Sequence, residues 1–509
     1  MDSRPSRRRR ALAMPLGLAL TATLGLTGAA AASAQGSADA APAKTGEKLS
    51  YVVNTGTDAR TVKRVKKEVA AGGGSVVATY QKIGVIVAHS ENPKFGEQMR
   101  ALDDVDSAGA TRTAPLKAAG TTDVGKPKFV DEAKASATAK AKAAGEEPLE
   151  PLQWDKRALK ADEANKISEG SKKVTVGVID TGVDDTHPDL APNFAAKQSA
   201  NCVGGKADTS KGAWRPYDKA EDYHGTHVAG IIAAARNGQG VAGVAPGVDV
   251  AAIKVSEPTS SLFYAEAVVC GMVFAGDNGI DVTNNSYYVD PWQFTCQDED
   301  DQKAIFDAVN RATRYAENKG TAHVTSAGNS SLDLAAPELA DDTSPNDSEP
   351  VERTVDTSVC KDLPAQLSNT VSVGASGAEN LKSYYSNYGM DEIDVTAPGG
   401  DRRYQTPEAP AKDGGVLSTM PDGEYAYLQG TSMAGPQVAG VMALLKSEHP
   451  KSSPQELRWL LKAQAETLPC PEDYDPDGEG TYAAKCTGLP GSNSFNGHGL
   501  ADALAAVTE

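Results

Sequence analysis

What most constrains the fold is an alternation that runs through the long C-terminal part of the chain. Short apolar runs at Val174 to Ile179, Val250 to Val255, Val282 to Ser286, Ala322 to Ala327, Thr370 to Gly374 and Ile393 to Thr396 have the length and composition of buried strands. Helix patterns fall between and after them, at Leu262 to Asn278, Gln302 to Lys319 and Pro454 to Ala465. Strands that alternate with helices pair in parallel and need cover on both faces. The expected class is therefore α/β, a doubly wound parallel sheet. Such sheets collect reacting groups in the crevice at the carboxyl ends of their strands. Asp180 directly follows the first run and is expected there.

Ser432 lies in Gly430-Thr431-Ser432-Met433-Ala434-Gly435-Pro436-Gln437-Val438-Ala439-Gly440, just before the apolar run to Leu445. Small residues around one serine at the start of a buried helix make a tight turn that presents its hydroxyl. The unpaired N–H groups and positive end of that helix favour developing negative charge. A hydroxyl needs a base, and the base needs an orienting group. With only seven histidines in the chain, His224 in His224-Gly225-Thr226-His227-Val228-Ala229-Gly230 is the candidate base, again at the mouth of a small-residue helix. The chain order is Asp, His, Ser.

The segments Val178-Ile179-Asp180-Thr181-Gly182-Val183, His224 to Gly230 and Gly430 to Ala434 resemble those of the subtilisin-like serine proteases, the subtilases. The resemblance runs from about Leu149 to the C-terminus. It implies an endopeptidase that hydrolyses peptide bonds in proteins or peptides, with Ser432 as nucleophile, His224 as base and Asp180 fixing the imidazole. It implies no cofactor for the chemistry. Thr325-Ser326-Ala327-Gly328-Asn329 resembles the family's oxyanion segment, with Asn329 as the amide donor. Ser286-Tyr287-Tyr288 matches the substrate-strand segment, where small residues commonly follow the serine. The two tyrosines either narrow the pocket or pack on the region Val289 to Cys296. Gly435 and Gln437 stand where the family usually has Ser or Thr and His, which implies altered packing. Asp189 and Asn237 match positions of the family's tight calcium site, and a carboxylate with an amide oxygen suits that ion.

Other classes need features that are missing. A non-catalytic scaffold would have lost one of the three residues. A carboxyl-type serine peptidase would have glutamate at His224, and an α/β-hydrolase would have Gly-x-Ser-x-Gly, which Ala434 breaks.

The N-terminal third reads as processing machinery. Residues 1–34 have arginines at Arg4 and Arg7 to Arg10, an apolar stretch from Ala11 to Leu26 and the small-residue site Ala32-Ser33-Ala34, the pattern of a secretory signal. A twin-arginine export signal ranks second, and a membrane anchor third because the apolar stretch is short. Residues 35–116 contain a β-α-β-β-α-β order, a small α+β ferredoxin-like pattern. Its place before the protease resembles the inhibitory propeptide of the subtilases, which in that family assists folding and plugs the cleft. Residues 117–148, rich in Ala and Lys, have no apolar face and read as a linker in or near which processing occurs. Residues 149–509 form the expected catalytic domain, and a monomer is expected.

A formal charge of -18 argues against nucleic-acid binding. Export permits disulfides, and six cysteines allow 15 pairings. Cys470–Cys486 and Cys296–Cys360 are the preferred pairs. Cys270, within a helical pattern, has a free buried thiol as its alternative.

Overall fold

The structure is a computed structural model that describes residues 47–113, 125–131, 145–258 and 260–509. The expected signal, residues 1–34, and most of the expected linker lie outside the described residues. The small N-terminal domain runs β1 (Leu49–Thr55), α1 (Ala59–Ala71), β2 (Gly74–Tyr80), β3 (Val85–Ser90), α2 (Phe95–Arg100) and β4 (Val105–Ala110). Its four strands pair in the order β2-β3-β1-β4. Asp58 caps α1 by accepting from the N–H groups of Arg60 and Thr61, and Val62, Val65 and Val69 form its buried stripe.

Successive side chains of a strand point to opposite faces. On β1, Tyr51 and Val53 pack against α1 and α2. Val52 faces the other way and, with Ile83 and Val85, enters a core built from helices of the later part of the chain.

A short strand follows, β5 (Lys128–Phe129), within the stretch expected to be a featureless linker. The C-terminal part of the chain then contributes β6 (Thr175–Asp180), β7 (Ala200–Asn201), α3 (His224–Ala233), β8 (Asp249–Lys254), α4 (Ala265–Asp277), β9 (Val282–Asn285), α5 (Asp300–Asn318), β10 (Ala322–Ser326), β11 (Thr370–Ser376) and β12 (Val395–Pro398). These strands form one seven-stranded sheet in the order β12-β11-β10-β9-β6-β8-β7, with every pairing parallel. Its two faces have separate cores. Val176, Val178, Val250 and Ala252 pack with α3 and with the later helix α6 (Thr431–Glu448). Ile179, Ala251 and Ile253 pack with α4 and α5 on the other side. The doubly wound parallel sheet is therefore present, with a small α+β unit before it.

Three features depart from the sequence reading. The hairpin β13 (Val416–Met420) and β14 (Glu424–Leu428) was not anticipated. Within the expected linker, β5 adds antiparallel to β14, Lys128 Nζ lies 2.6 Å from Asp413, and Val130 packs near Leu149 and Tyr425. Cys270 is no free thiol: it is bonded to Cys202, whereas Cys296–Cys360 and Cys470–Cys486 pair as expected. Cys202 follows β7 at the sheet's edge, so this bridge ties the edge to α4.

Candidate active site

Asp180 is the last residue of β6, Ser326 the last of β10, and Ser432 the second of α6. The parallel sheet thus brings sequence-distant groups to one edge. The His224 ring Nδ1 lies 2.8 and 3.0 Å from the two Asp180 carboxylate oxygens, and both residues are almost fully buried. Gly225 permits this approach. A Cβ there would stand 2.3 Å from the Gly182 carbonyl oxygen and 3.1 Å from the Asp180 Cβ. One helical turn on, His227 takes a different role. Its Nε2 lies 3.0 Å from the Ala426 carbonyl of β14 and burial pushes its pKa down to about 3, so it is a neutral core residue.

Ser432 sits on a turn clamped from beneath. Ser326 Oγ donates to the Thr431 carbonyl at 2.9 Å, and Ser286 Oγ donates to the Ser432 carbonyl at 3.2 Å. A Cβ at Gly435 would stand 3.1 Å from Asn284 Oδ1 and Ser326 Oγ, so glycine there lets α6 close onto the ends of β9 and β10. Gln437, in place of the family's histidine, donates to Asp155 at 2.7 Å and accepts from the buried Lys156 ammonium at 3.1 Å.

Asn329 follows β10. Its Oδ1 accepts from the Thr431 N–H at 2.8 Å and from the Thr431 hydroxyl at 2.9 Å. A backbone N–H only donates, so the amide's oxygen is fixed toward Thr431 and its NH₂ is turned outward. That NH₂ lies 3.6 Å from where a Cβ on Gly430 would be, an ordinary contact distance. Thr431 is a positioning residue that sequence reasoning did not single out, although it adjoins the serine.

Ser432 and Asn329 border a pocket of about 360 Å³, whose further walls include Tyr288, Asp290, Asn346 and Asp362. Ser286 and both tyrosines line this pocket as well. Tyr287 stacks on Phe263 at 4.8 Å and donates to Asn285. Tyr288 walls the pocket, and its hydroxyl accepts from Asn346 at 2.9 Å. Asp290, Asn346 and Asp362 come from loops far apart in the chain and carry no local motif, so sequence reading did not find them.

Asp189 and Asn237 are adjacent, but they meet as hydrogen-bond partners. The Asn237 amide nitrogen donates to Asp189 Oδ1 at 3.2 Å. Asp189 Oδ2 accepts from the Val241 N–H and from the Tyr425 hydroxyl, both at 3.0 Å. The same loop is held by a bidentate Arg236–Glu150 pair at 2.6 and 2.7 Å. This arrangement does not fit calcium, which needs converging oxygens. Here the nitrogen of the amide faces the carboxylate, and a guanidinium already supplies a positive charge to the loop.

A doubly wound parallel sheet with a buried Asp–His pair, and a serine at a helix mouth beside a fixed amide donor, defines a serine peptidase. The pattern of the subtilase family, peptidase S8, matches residues 171–499, and the chain belongs to that family. Subtilisin DY of Bacillus licheniformis is 33% identical over 310 residues, which is 61% of this chain and 90% of that protein. Subtilisin Savinase of Lederbergia lenta is 31% identical over 62% of this chain and 91% of its own length. The epidermin leader peptide processing serine protease of Staphylococcus aureus shares the fold with a TM-score of 0.62, at 22% identity, over 91% of this chain and 98% of that one. The protein is a subtilisin-like serine endopeptidase.

Proposed function

We propose that this protease is secreted and made as a zymogen, and that Asp180, His224 and Ser432 are its catalytic residues. The observation that carries the assignment is the buried contact of His224 Nδ1 with the Asp180 carboxylate. A carboxylate at Nδ1 holds the proton there, which leaves Nε2 with the lone pair. Nε2 takes the proton from Ser432 as Oγ attacks the peptide carbonyl, then returns it to the leaving amine. Asn329 Nδ2 and the Ser432 N–H donate to the oxyanion of the tetrahedral intermediate. No cofactor takes part.

Residues 35–116 act as an inhibitory propeptide, 117–148 as the linker that is cut, and 1–34 as the export signal. Support comes from the small domain's seat on α4 and α5. Arg311 donates to the Thr55 carbonyl at 2.9 Å and pairs with Asp106 at 2.7 Å, and Ser107 donates to Asp307 at 2.6 Å. The domain's last described residue, Thr113, donates its N–H to Asp347 at 2.8 Å, next to the pocket residue Asn346. Three disulfides suit an oxidising compartment.

The test is Ser432→Ala in the full chain. It is expected to fold, to lose nearly all casein hydrolysis and to lose labelling by a fluorophosphonate. Hydrolysis at the wild-type rate would defeat the assignment.

A further inference from the structure

The pocket beside Ser432 contains chemistry that the hydrolytic step does not use. Two of its wall residues are carboxylates, each only 3% exposed. Asp290 is fully engaged: its Oδ2 accepts from the Phe263 N–H at 2.5 Å and its Oδ1 from Asn346 at 2.6 Å. Asp362 differs. Its carboxylate accepts no hydrogen bond and meets no cation among the described residues. It faces the oxyanion segment, with Oδ2 3.7 Å from where a Cβ on Gly328 would be.

The cations of that wall are committed elsewhere. Arg353 pairs with Asp341 at 2.6 Å and lies over the Trp292 ring at 4.9 Å. Lys361, adjacent in sequence, points to Glu392 at 3.9 Å. Burial, and then Asp341 nearby, raise the Asp362 pKa well above the carboxylate range, and burial pushes Asp290 to about 7. A carboxylate placed this way is costly to ionise unless a cation pairs with it. The cavity is large enough for one long side chain. The Tyr288 ring in its wall offers apolar surface along which a lysine or arginine stem lies while its head reaches an acid.

We infer that Asp362 selects substrates with lysine or arginine at P1, the residue whose carbonyl Ser432 attacks, by pairing with the cation inside this pocket. Asp290 holds a second acid in the same wall. The inference rests on the reading of Ser432 as nucleophile and Asn329 as oxyanion donor, which makes this the P1 pocket.

The test uses the processed enzyme and four peptide anilides that differ only at P1: Lys, Arg, Phe and Leu. Lysine and arginine are expected to exceed phenylalanine and leucine in kcat/KM by at least about tenfold, the low end for recognising a buried charge. Benzamidine, a small aryl cation, is expected to compete with the lysine substrate. In Asp362→Asn the Lys-to-Phe ratio of kcat/KM is expected to fall by about 30-fold or more, the effect of removing one partner of a buried charge pair. Wild-type preference for Phe or Leu with no inhibition by benzamidine overturns the inference, whether or not the variant folds. An unchanged ratio in an active variant does so too. Failure to cut any of the four, with no fluorophosphonate labelling of Ser432, removes the protease reading itself.

Discussion

Two buried acidic sites, one at Glu257 and Glu266 and the other in the pocket, stand in opposite states. At the first, Arg112 of the small domain donates to Glu266 at 2.7 Å and to Glu257 at 3.0 Å, with its guanidinium 4.0 Å above the Tyr264 ring. At the second, Asp362 in the pocket wall faces no cation among the described residues. Both sites bury carboxylates, and burial without a partner is unfavourable. The N-terminal domain satisfies the first site from within the same chain. The second is left for a molecule the enzyme acts on. The difference separates holding from choosing: one site anchors the domain and the other discriminates among substrates.

The comparison can be broken first at the chemistry common to all substrates. Asn329→Ala is expected to lower kcat by about 10²–10³ with little change in KM. The factor should be the same for lysine and phenylalanine substrates, because Asn329, although it borders the pocket, is hydrogen-bonded to Thr431 rather than to Asp362 or Asp290. Unequal losses would place Asn329 in recognition.

The next effect tests the occupied site. Arg112→Ala in the separately added N-terminal domain is expected to weaken inhibition of the mature enzyme by about 30-fold or more. Arg112→Lys should recover only part, since an ammonium lacks the planar face that the guanidinium lays over the Tyr264 ring. Equal inhibition by the alanine variant would reduce this anchor to a bystander.

A smaller effect is expected from pH. Burial raises the Glu266 carboxyl and Arg112 more than reverses it, so its pKa lies below the ordinary 4.5 in the complex. A carboxylate held low contributes above its ordinary value and loses that contribution as pH falls through the lowered one. Inhibition by the native domain should therefore weaken as pH falls below about 4.5, the ordinary value. The Arg112→Ala domain should lack that dependence. The smallest expected effect is that of EDTA: because Asp189 is satisfied by protein donors, chelation should shift the melting temperature by no more than about 1 °C, a change of about 1 kcal/mol in a protein this large. A larger drop would show that an ion displaces those hydrogen bonds.

The sheet was legible because buried strands have a local signature. The apolar run Val174 to Ile179 becomes the Thr175–Asp180 strand, and in α1 the buried residues Val62, Val65 and Val69 recur at helical spacing. The candidate catalytic residues were legible for a related reason: each sits among glycines and alanines that a tight approach requires. The β13–β14 hairpin escaped notice because its strands, one either side of Pro421-Asp422-Gly423, were not separated from the surrounding loops. The Cys202–Cys270 bridge depends on how β7 and α4 meet in space. Asp362 and Asp290 are ordinary acids in sequence, and only the closing of distant loops around one cavity gives them meaning.

The buried trio beneath the Ser432 helix has a consequence for the enzyme's lifetime. A protease at working concentration is exposed to its own copies, and self-digestion starts at segments that open locally. The stretch 149–158 that begins the catalytic domain is a natural place for such an opening. Yet Lys156 and Asp155 are sunk against Gln437 of the Ser432 helix, and Lys156 also donates to the Ile231 carbonyl of the His224 helix. Peeling the arm away strands the Gln437 side chain on the helix of the candidate nucleophile and removes one of two hydrogen bonds to the Ile231 carbonyl, which also accepts from the Val244 N–H. Opening of this arm for cleavage thereby also disturbs the helix that bears the candidate nucleophile.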